Sequence, residues 1–227
     1  MREKMIPAGA RVSVVLLLTA MAVACGSSGS PTTASSSTQT LRGTVADPAG
    51  DSLPALPLVP ISPDLVAATI EVSGNNLTVT VSFAPATLSS TQTVWYVALD
   101  TDEDLNTGRP GVAAPVPGNF GDTGLLGVDY EIAAVYPRNS SQATIFRVTG
   151  APPIQPTSVA TAVVTFPSPD TERVTVPLAL LGNDDGRMKF KVVCQQWLTD
   201  SSTTIALAGG AMLDYMPNLG EAAGVVR

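Results

Sequence analysis

The chain predicts an all-β protein, a single antiparallel jelly-roll-like β-sandwich preceded by an export signal and a flexible tether. Residues 77–83, Leu-Thr-Val-Thr-Val-Ser-Phe, alternate strictly between apolar and hydroxylated side chains. This puts Leu77, Val79, Val81 and Phe83 on one face of a strand, whose side chains repeat every two residues. Similar short runs recur along the chain, separated by clusters of Gly, Pro, Asn and Asp. No stretch sustains apolar residues at helical spacing, and 19 Gly with 19 Pro work against long helices.

In chain order, Arg2, Lys4 and Arg11 give a basic leader, and residues 12–24 are almost wholly apolar, as in an export signal. The run falls short of the roughly 20 apolar residues that span a bilayer, so it makes a poor permanent anchor. It closes with Ala22-Val23-Ala24-Cys25, which resembles the lipobox of bacterial lipoproteins, although Ala22 stands where those patterns favour Leu. The resemblance implies that residues 1–24 are removed and that Cys25 carries lipid. Each buried methylene would then hold the protein to a membrane by about 0.8 kcal/mol. The alternative is an ordinary signal peptide in which Cys25 is incidental.

Residues 26–40 are Ser, Thr, Gly, Pro, Gln and Ala with no charge, a composition that packs against nothing. The expected organisation is therefore a signal at 1–24, a lipidated Cys and tether at 25–42, and one sandwich domain at 43–227. Loss of the leader takes away Arg2, Glu3, Lys4 and Arg11 and moves the formal net charge from −7 to about −9. An acidic chain with no Lys/Arg cluster repels phosphate backbones, so nucleic acid is excluded as an expected partner.

Within the domain, residues 67–72 and the 77–83 run are joined by Ser73-Gly74-Asn75-Asn76, residues that tolerate the positive φ of a tight hairpin. Further strands are expected at 93–99, 128–136, 143–149, 159–166, 173–178, 188–198 and 204–208, with a single helical turn near 177–181. Asn183-Asp184-Asp185-Gly186 reads as a hairpin turn without a function. The second cysteine, Cys194, lies in the apolar-alternating run Phe190-Lys191-Val192-Val193-Cys194 and is expected as a small buried hydrophobe. The chain contains no His to act as its base, which argues against a catalytic thiol.

The chemistry is concentrated in carboxylates. Asp100-Thr101-Asp102-Glu103-Asp104-Leu105-Asn106-Thr107-Gly108 follows a core strand and sets three Asp at alternate positions. Like charges this close repel one another, and a hard cation wanting six to eight oxygens relieves the repulsion. The pattern points to Ca²⁺ on Asp100, Asp102 and Asp104, with Asn106 completing one side and Asp47, Asp51 and Asp129 as further contributors. Leu105 and Gly111 occupy the positions where an EF-hand needs Gly and Glu, so this is a different kind of loop. The competing reading is an acidic solvated turn held by local backbone bonds.

Taken together, Asp47-Pro48 through Asp51, Asp64, the strand ending at Phe83, Asp100-Thr101-Asp102 with Thr107-Gly108, and Gly127-Val128-Asp129-Tyr130 resemble the DOMON-like or family 9 carbohydrate-binding-like β-sandwiches of bacterial surface proteins. The resemblance runs over roughly residues 43–220, and it implies the fold more strongly than the function. Sugar-binding members stack ligand on exposed aromatics, for which Trp95, Trp197, Tyr130, Tyr136, Tyr215 and Phe120 are the candidates. Haem-binding members need His, which is absent. Asp214-Tyr215-Met216-Pro217 through Gly220 resembles the closing segment of such sandwiches.

With no His and one stray thiol, an enzyme would depend on paired carboxylates, and clustering them in one loop suits metal ligation better than divided acid–base roles. The expectation is therefore a protein that is not an enzyme: a lipid-anchored extracytoplasmic binding module for a glycan or small molecule, stabilised by calcium. The alternative is a structural or assembly lipoprotein that touches envelope proteins and takes no small ligand.

Overall fold

A computed structural model describes residues 39–52, 63–88, 93–110, 126–136, 141–149, 156–196, 211–217 and 221–227. Cys25, the signal, most of the tether, Phe120, Trp197 and the expected 204–208 strand lie outside the described residues. The fold is all-β and antiparallel, as the alternating runs predict. In chain order the longer strands are β1 (Leu41–Ala46), β2 (Leu65–Ser73), β3 (Asn76–Phe83), β4 (Thr93–Asp100), β7 (Tyr130–Tyr136), β8 (Gln142–Arg147), β9 (Thr157–Ser168), β10 (Thr171–Pro177), β11 (Met188–Gln196) and β12 (Ala211–Met216). Short β5 (Arg109–Pro110) and β6 (Gly127–Val128) form a separate two-stranded ribbon, and β13 (Gly224–Val226) pairs with β11.

One sheet runs β1-β2-β3-β10-β9-β8-β7-β4-β11-β12 and folds over on itself into two layers. β9 belongs to both, pairing with β10 through Val164 and Thr165 and with β8 through residues 157–163. Along β3 the expected alternation appears as buried Leu77, Val79, Val81 and Phe83. Gly74 at φ 58° makes the β2–β3 turn, where Ser73 pairs with Asn76 around a two-residue loop. Facing this layer, β4 supplies Trp95, Val97 and Leu99, β7 supplies Ile132 and Ala134, and β11 supplies Met188, Phe190, Val192 and Cys194. The Trp95 indole N–H crosses the core from one layer to donate to Glu172 Oε2 on β10 of the other, at 2.6 Å. A buried indole needs such an acceptor, so Trp95 serves the core and offers no platform to a sugar.

Several boundaries differ from the sequence reading. β1 takes in Leu41 and Arg42, which had been assigned to the tether, and the expected 128–136 strand is interrupted at Asp129. The single turn near residue 177 is a 3-10 turn, Leu178–Leu181. The Asn183–Gly186 segment is no hairpin, because it joins that turn to β11, whereas β10 pairs with β3 and β9. Its local chemistry is still that of a turn. Asn183 sits at φ 59°, Asp184 Oδ1 accepts the Gly186 N–H at 2.7 Å, and Asp185 Oδ1 accepts the Arg187 N–H at 2.9 Å.

Cys194 is a fully buried thiol on the core face of β11. A thiol reagent should label it on the order of 1,000-fold more slowly in the native protein than in urea, since access requires opening that strand. Labelling at equal rates would place β11 outside the core.

Candidate functional site

β4 is buried on both faces from Val94 to Asp100, a central strand flanked by β7 and β11. Leu126, Val128 and Val148 pack on its outer face around Ala98, held by the Asp129 N–H to Leu99 O at 2.9 Å and the Val148 N–H to Asp129 O at 2.8 Å. The chain therefore leaves β4 beneath the β5–β6 ribbon, and Asp100 and Asp129 come together at the strand end.

From Asp100 the loop folds by local bonds. Asp102 Oδ1 accepts the Asp104 N–H and the Thr107 hydroxyl, both at 2.9 Å. Asp129 Oδ2 accepts the N–H and hydroxyl of Thr101, both at 3.0 Å. Gly108, at φ 57°, lies so close to Val128 O and Asp129 that a Cβ would collide with backbone, so glycine is required for both the conformation and the contact.

One carboxylate oxygen each from Asp100, Asp102 and Asp129 lies within 4.8 Å of the other two. Asp104 is not part of this group. The Asp104 carboxylate turns back and takes the Asn106 N–H at 3.0 Å and the Asn106 side-chain amide at 2.8 Å. Those donors hold its carboxyl below the ordinary range. Alternate spacing would align Asp100, Asp102 and Asp104 only along an extended strand, and here the strand ends at Asp100 and Glu103 adopts φ 56°.

Asp100 is fully buried. Its Oδ2 accepts a long bond from the Gly127 N–H, 3.3 Å, while its Oδ1 is buried with no hydrogen bond. Burial raises the carboxyls of both Asp100 and Asp129, against the hydrogen bonds they accept. Asp100, Asp102 and Asp129 are thus three oxygen donors close enough together to hold a metal ion, one of them carrying a buried oxygen without a hydrogen bond.

Beside this group is an open cleft of about 370 Å³ whose walls include Thr101, Asp102, Asp129, Tyr130, Arg147 and Asp184. Asp184, which sequence spacing gave no reason to connect with residue 100, has a carboxyl pushed up to about 6, first by burial and further by Asp185, Asp129 and Asp102. Tyr130 lines the cleft but is largely buried, and Tyr215 is buried.

Asp47 and Asp51 are elsewhere. They converge with Asp214 of β12 in a second group, again with one oxygen each within 4.8 Å of the others. Trp95 stands opposite Cys194 and Cys194 opposite Asp214, so this second group is level with Trp95. That is roughly 17 Å from Asp100 at about 3.4 Å per residue along β4.

The fold and this geometry define an antiparallel all-β sandwich with two separated carboxylate groups, one of them at the edge of a cleft. No protein-family model matches the chain, and no curated protein matches it in sequence.

Proposed function

We propose that this is a lipid-anchored extracytoplasmic binding protein of a bacterial envelope, whose sandwich takes a glycan or small molecule in the cleft beside a calcium held by Asp100, Asp102 and Asp129. The observation that carries the reading is that Asp102 and Asp129 belong both to the carboxylate group and to the cleft wall. A cation there has an open side toward the cleft, where hydroxyls or a carboxylate of a ligand complete its coordination. Arg147, on the same wall as Asp102, Asp129 and Asp184, supplies a guanidinium donor for a ligand oxygen. The anchor rests on Ala22-Val23-Ala24-Cys25 and the uncharged tether behind it.

The test joins both halves. Labelled palmitate should enter the wild type and not Cys25→Ser, which should leave the membrane fraction; labelling that survives the substitution refutes the anchor. On a glycan array, the soluble domain should give hits in calcium that disappear in EDTA and in Asp102→Ala. Silence in calcium refutes the glycan reading and favours a structural or assembly lipoprotein.

A further inference from the structure

We infer that the cleft grips an uncharged, hydroxyl-rich ligand by its edge, with the Tyr130 hydroxyl and the Arg147 guanidinium reading the ligand's own hydroxyls. This rests on the reading of the cleft as a ligand site beside a calcium. The strand register sets the two residues side by side: Tyr130, the first residue of β7, stands directly opposite Arg147, the last residue of β8. Residues so placed in an antiparallel pair project from the same face with Cβ atoms about 5 Å apart. The next pair along that face is Ile132 with Ile145, both in the core, so Tyr130 and Arg147 continue the core face to the end of the sandwich, where both line the cleft.

Tyr130 is 8% exposed, with its ring packed in the core, and its oxygen meets no hydrogen-bond partner among the described residues. A hydroxyl on a buried ring ordinarily finds such a partner, and here the cleft is the side from which one can come. A Cβ added at Gly182, itself on the cleft wall, would stand 3.1 Å from that oxygen. Glycine at the end of the Leu178–Leu181 turn thus leaves the space before the hydroxyl open. Arg147 is exposed and forms no ion pair among the described residues, so its guanidinium is available to the cleft as well.

The wall sets the class of ligand. Arg147 only donates, ionised Asp102, Asp129 and Asp184 only accept, and Tyr130 and Thr149 do both. A ligand hydroxyl also does both, so it matches every one of these partners. An anionic group drawn to Arg147 would lie among the carboxylates, and a cationic group would meet Arg147 and the calcium, and like charges so placed are costly. Tyr130 is the one aromatic on the wall among the described residues, and with its ring in the core it offers no face for a sugar to stack on. The ligand is therefore held by its hydroxyl-bearing edge, in a cleft whose 370 Å³ lies near the lower end of the roughly 300–1,000 Å³ of small-molecule sites.

Titration calorimetry of the full mature chain in calcium tests this with the methyl glycosides of glucose, galactose and mannose, the corresponding uronic acids and the 2-amino-2-deoxy sugars. At least one neutral glycoside should bind, and its charged counterparts about 10-fold more weakly or worse. Tyr130→Phe removes a hydroxyl without a partner among the described residues, so it should keep the wild-type melting temperature. It should lose roughly 3- to 10-fold in affinity for that glycoside, the worth of one neutral hydrogen bond. Arg147→Gln should lose about as much or more. With tyrosine labelled by ¹³C at the ring carbon bearing the hydroxyl, the signal that Tyr130→Phe removes should shift when the glycoside binds. Wild-type affinity in Tyr130→Phe, a Tyr130 signal unmoved by bound glycoside, or a charged sugar bound as tightly as its neutral counterpart overturns the inference and leaves the cleft as a ligand site. An amino sugar bound best, in EDTA as in calcium, would mean that bare carboxylates face the ligand, and would overturn the calcium reading too. If no sugar of the three classes binds the wild type, the glycan reading and this inference both fall.

Discussion

Glu131→Ala should cost about 3–5 kcal/mol of folding stability, because it removes the carboxylate facing a guanidinium that is itself out of water. Arg109 and Glu131 form an ion pair with side chains 4% and 2% exposed, between β5 and the outer face of β7. Burial raises the Glu131 carboxyl and Arg109 opposes it, so the pair holds its charge only because both members are present. The pair also matters to the acidic loop. Arg109 directly follows Gly108, and Glu131 stands opposite Ala98, so this contact pins the exit of the Asp100–Gly108 segment to the sheet. Urea unfolding checks the magnitude. Replacing both partners by apolar residues of similar size, Arg109→Met/Glu131→Leu, should recover most of the loss, since two buried charges are removed together. A loss below about 1 kcal/mol in Glu131→Ala would mean that the pair is solvated and contributes as little as surface pairs do.

What could be read from the residues follows from how local each signal is. The hairpin at Gly74 and the β3 alternation depend on neighbours in sequence, and both were legible. β1 was missed because Gly43 stands on its buried face, where the Phe190 ring and the Val225 carbonyl leave no room for a side chain. β12 was hidden by Asp214, a buried acid that accepts the Leu65 N–H, and β13 has only three residues. Three charged residues on strands, Glu131, Glu172 and Lys191, are buried, which nothing local in the sequence signals. Their burial follows from the Trp95 N–H for Glu172 and from Arg109 for Glu131, contacts 77 and 22 residues apart in the chain. The same limit applied to the carboxylates. Asp100 and Asp102 were recognisable by spacing, whereas Asp214 joins Asp47 and Asp51, and Asp184 reaches the cleft wall, through the fold alone.

Calcium should raise the melting temperature of the wild type, and part of that gain should depend on Asp102. Asp100, Asp102 and Asp129 converge at the end of β4 with a buried oxygen that accepts no hydrogen bond, so a bound cation relieves both the repulsion and the unmet acceptor. An ion that binds only the folded chain, present at 100 times its dissociation constant, contributes about 2.7 kcal/mol. For a domain of this size that corresponds to a shift of roughly 5–10 °C for the β4 site. Magnesium should do less, since it holds its waters and demands a tighter octahedron. Scanning calorimetry in EDTA, Mg²⁺ and Ca²⁺ should therefore show a calcium-specific rise that shrinks in Asp102→Ala by about the amount given. Asp104→Ala, whose carboxylate is occupied by Asn106, should keep nearly all of it. A wild-type melting temperature unchanged by calcium would leave the segment as an ordinary acidic turn. A full shift retained in Asp102→Ala would place the ion elsewhere, whereas a shift lost in both Asp102→Ala and Asp104→Ala would return it to the alternate-Asp arrangement of Asp100, Asp102 and Asp104.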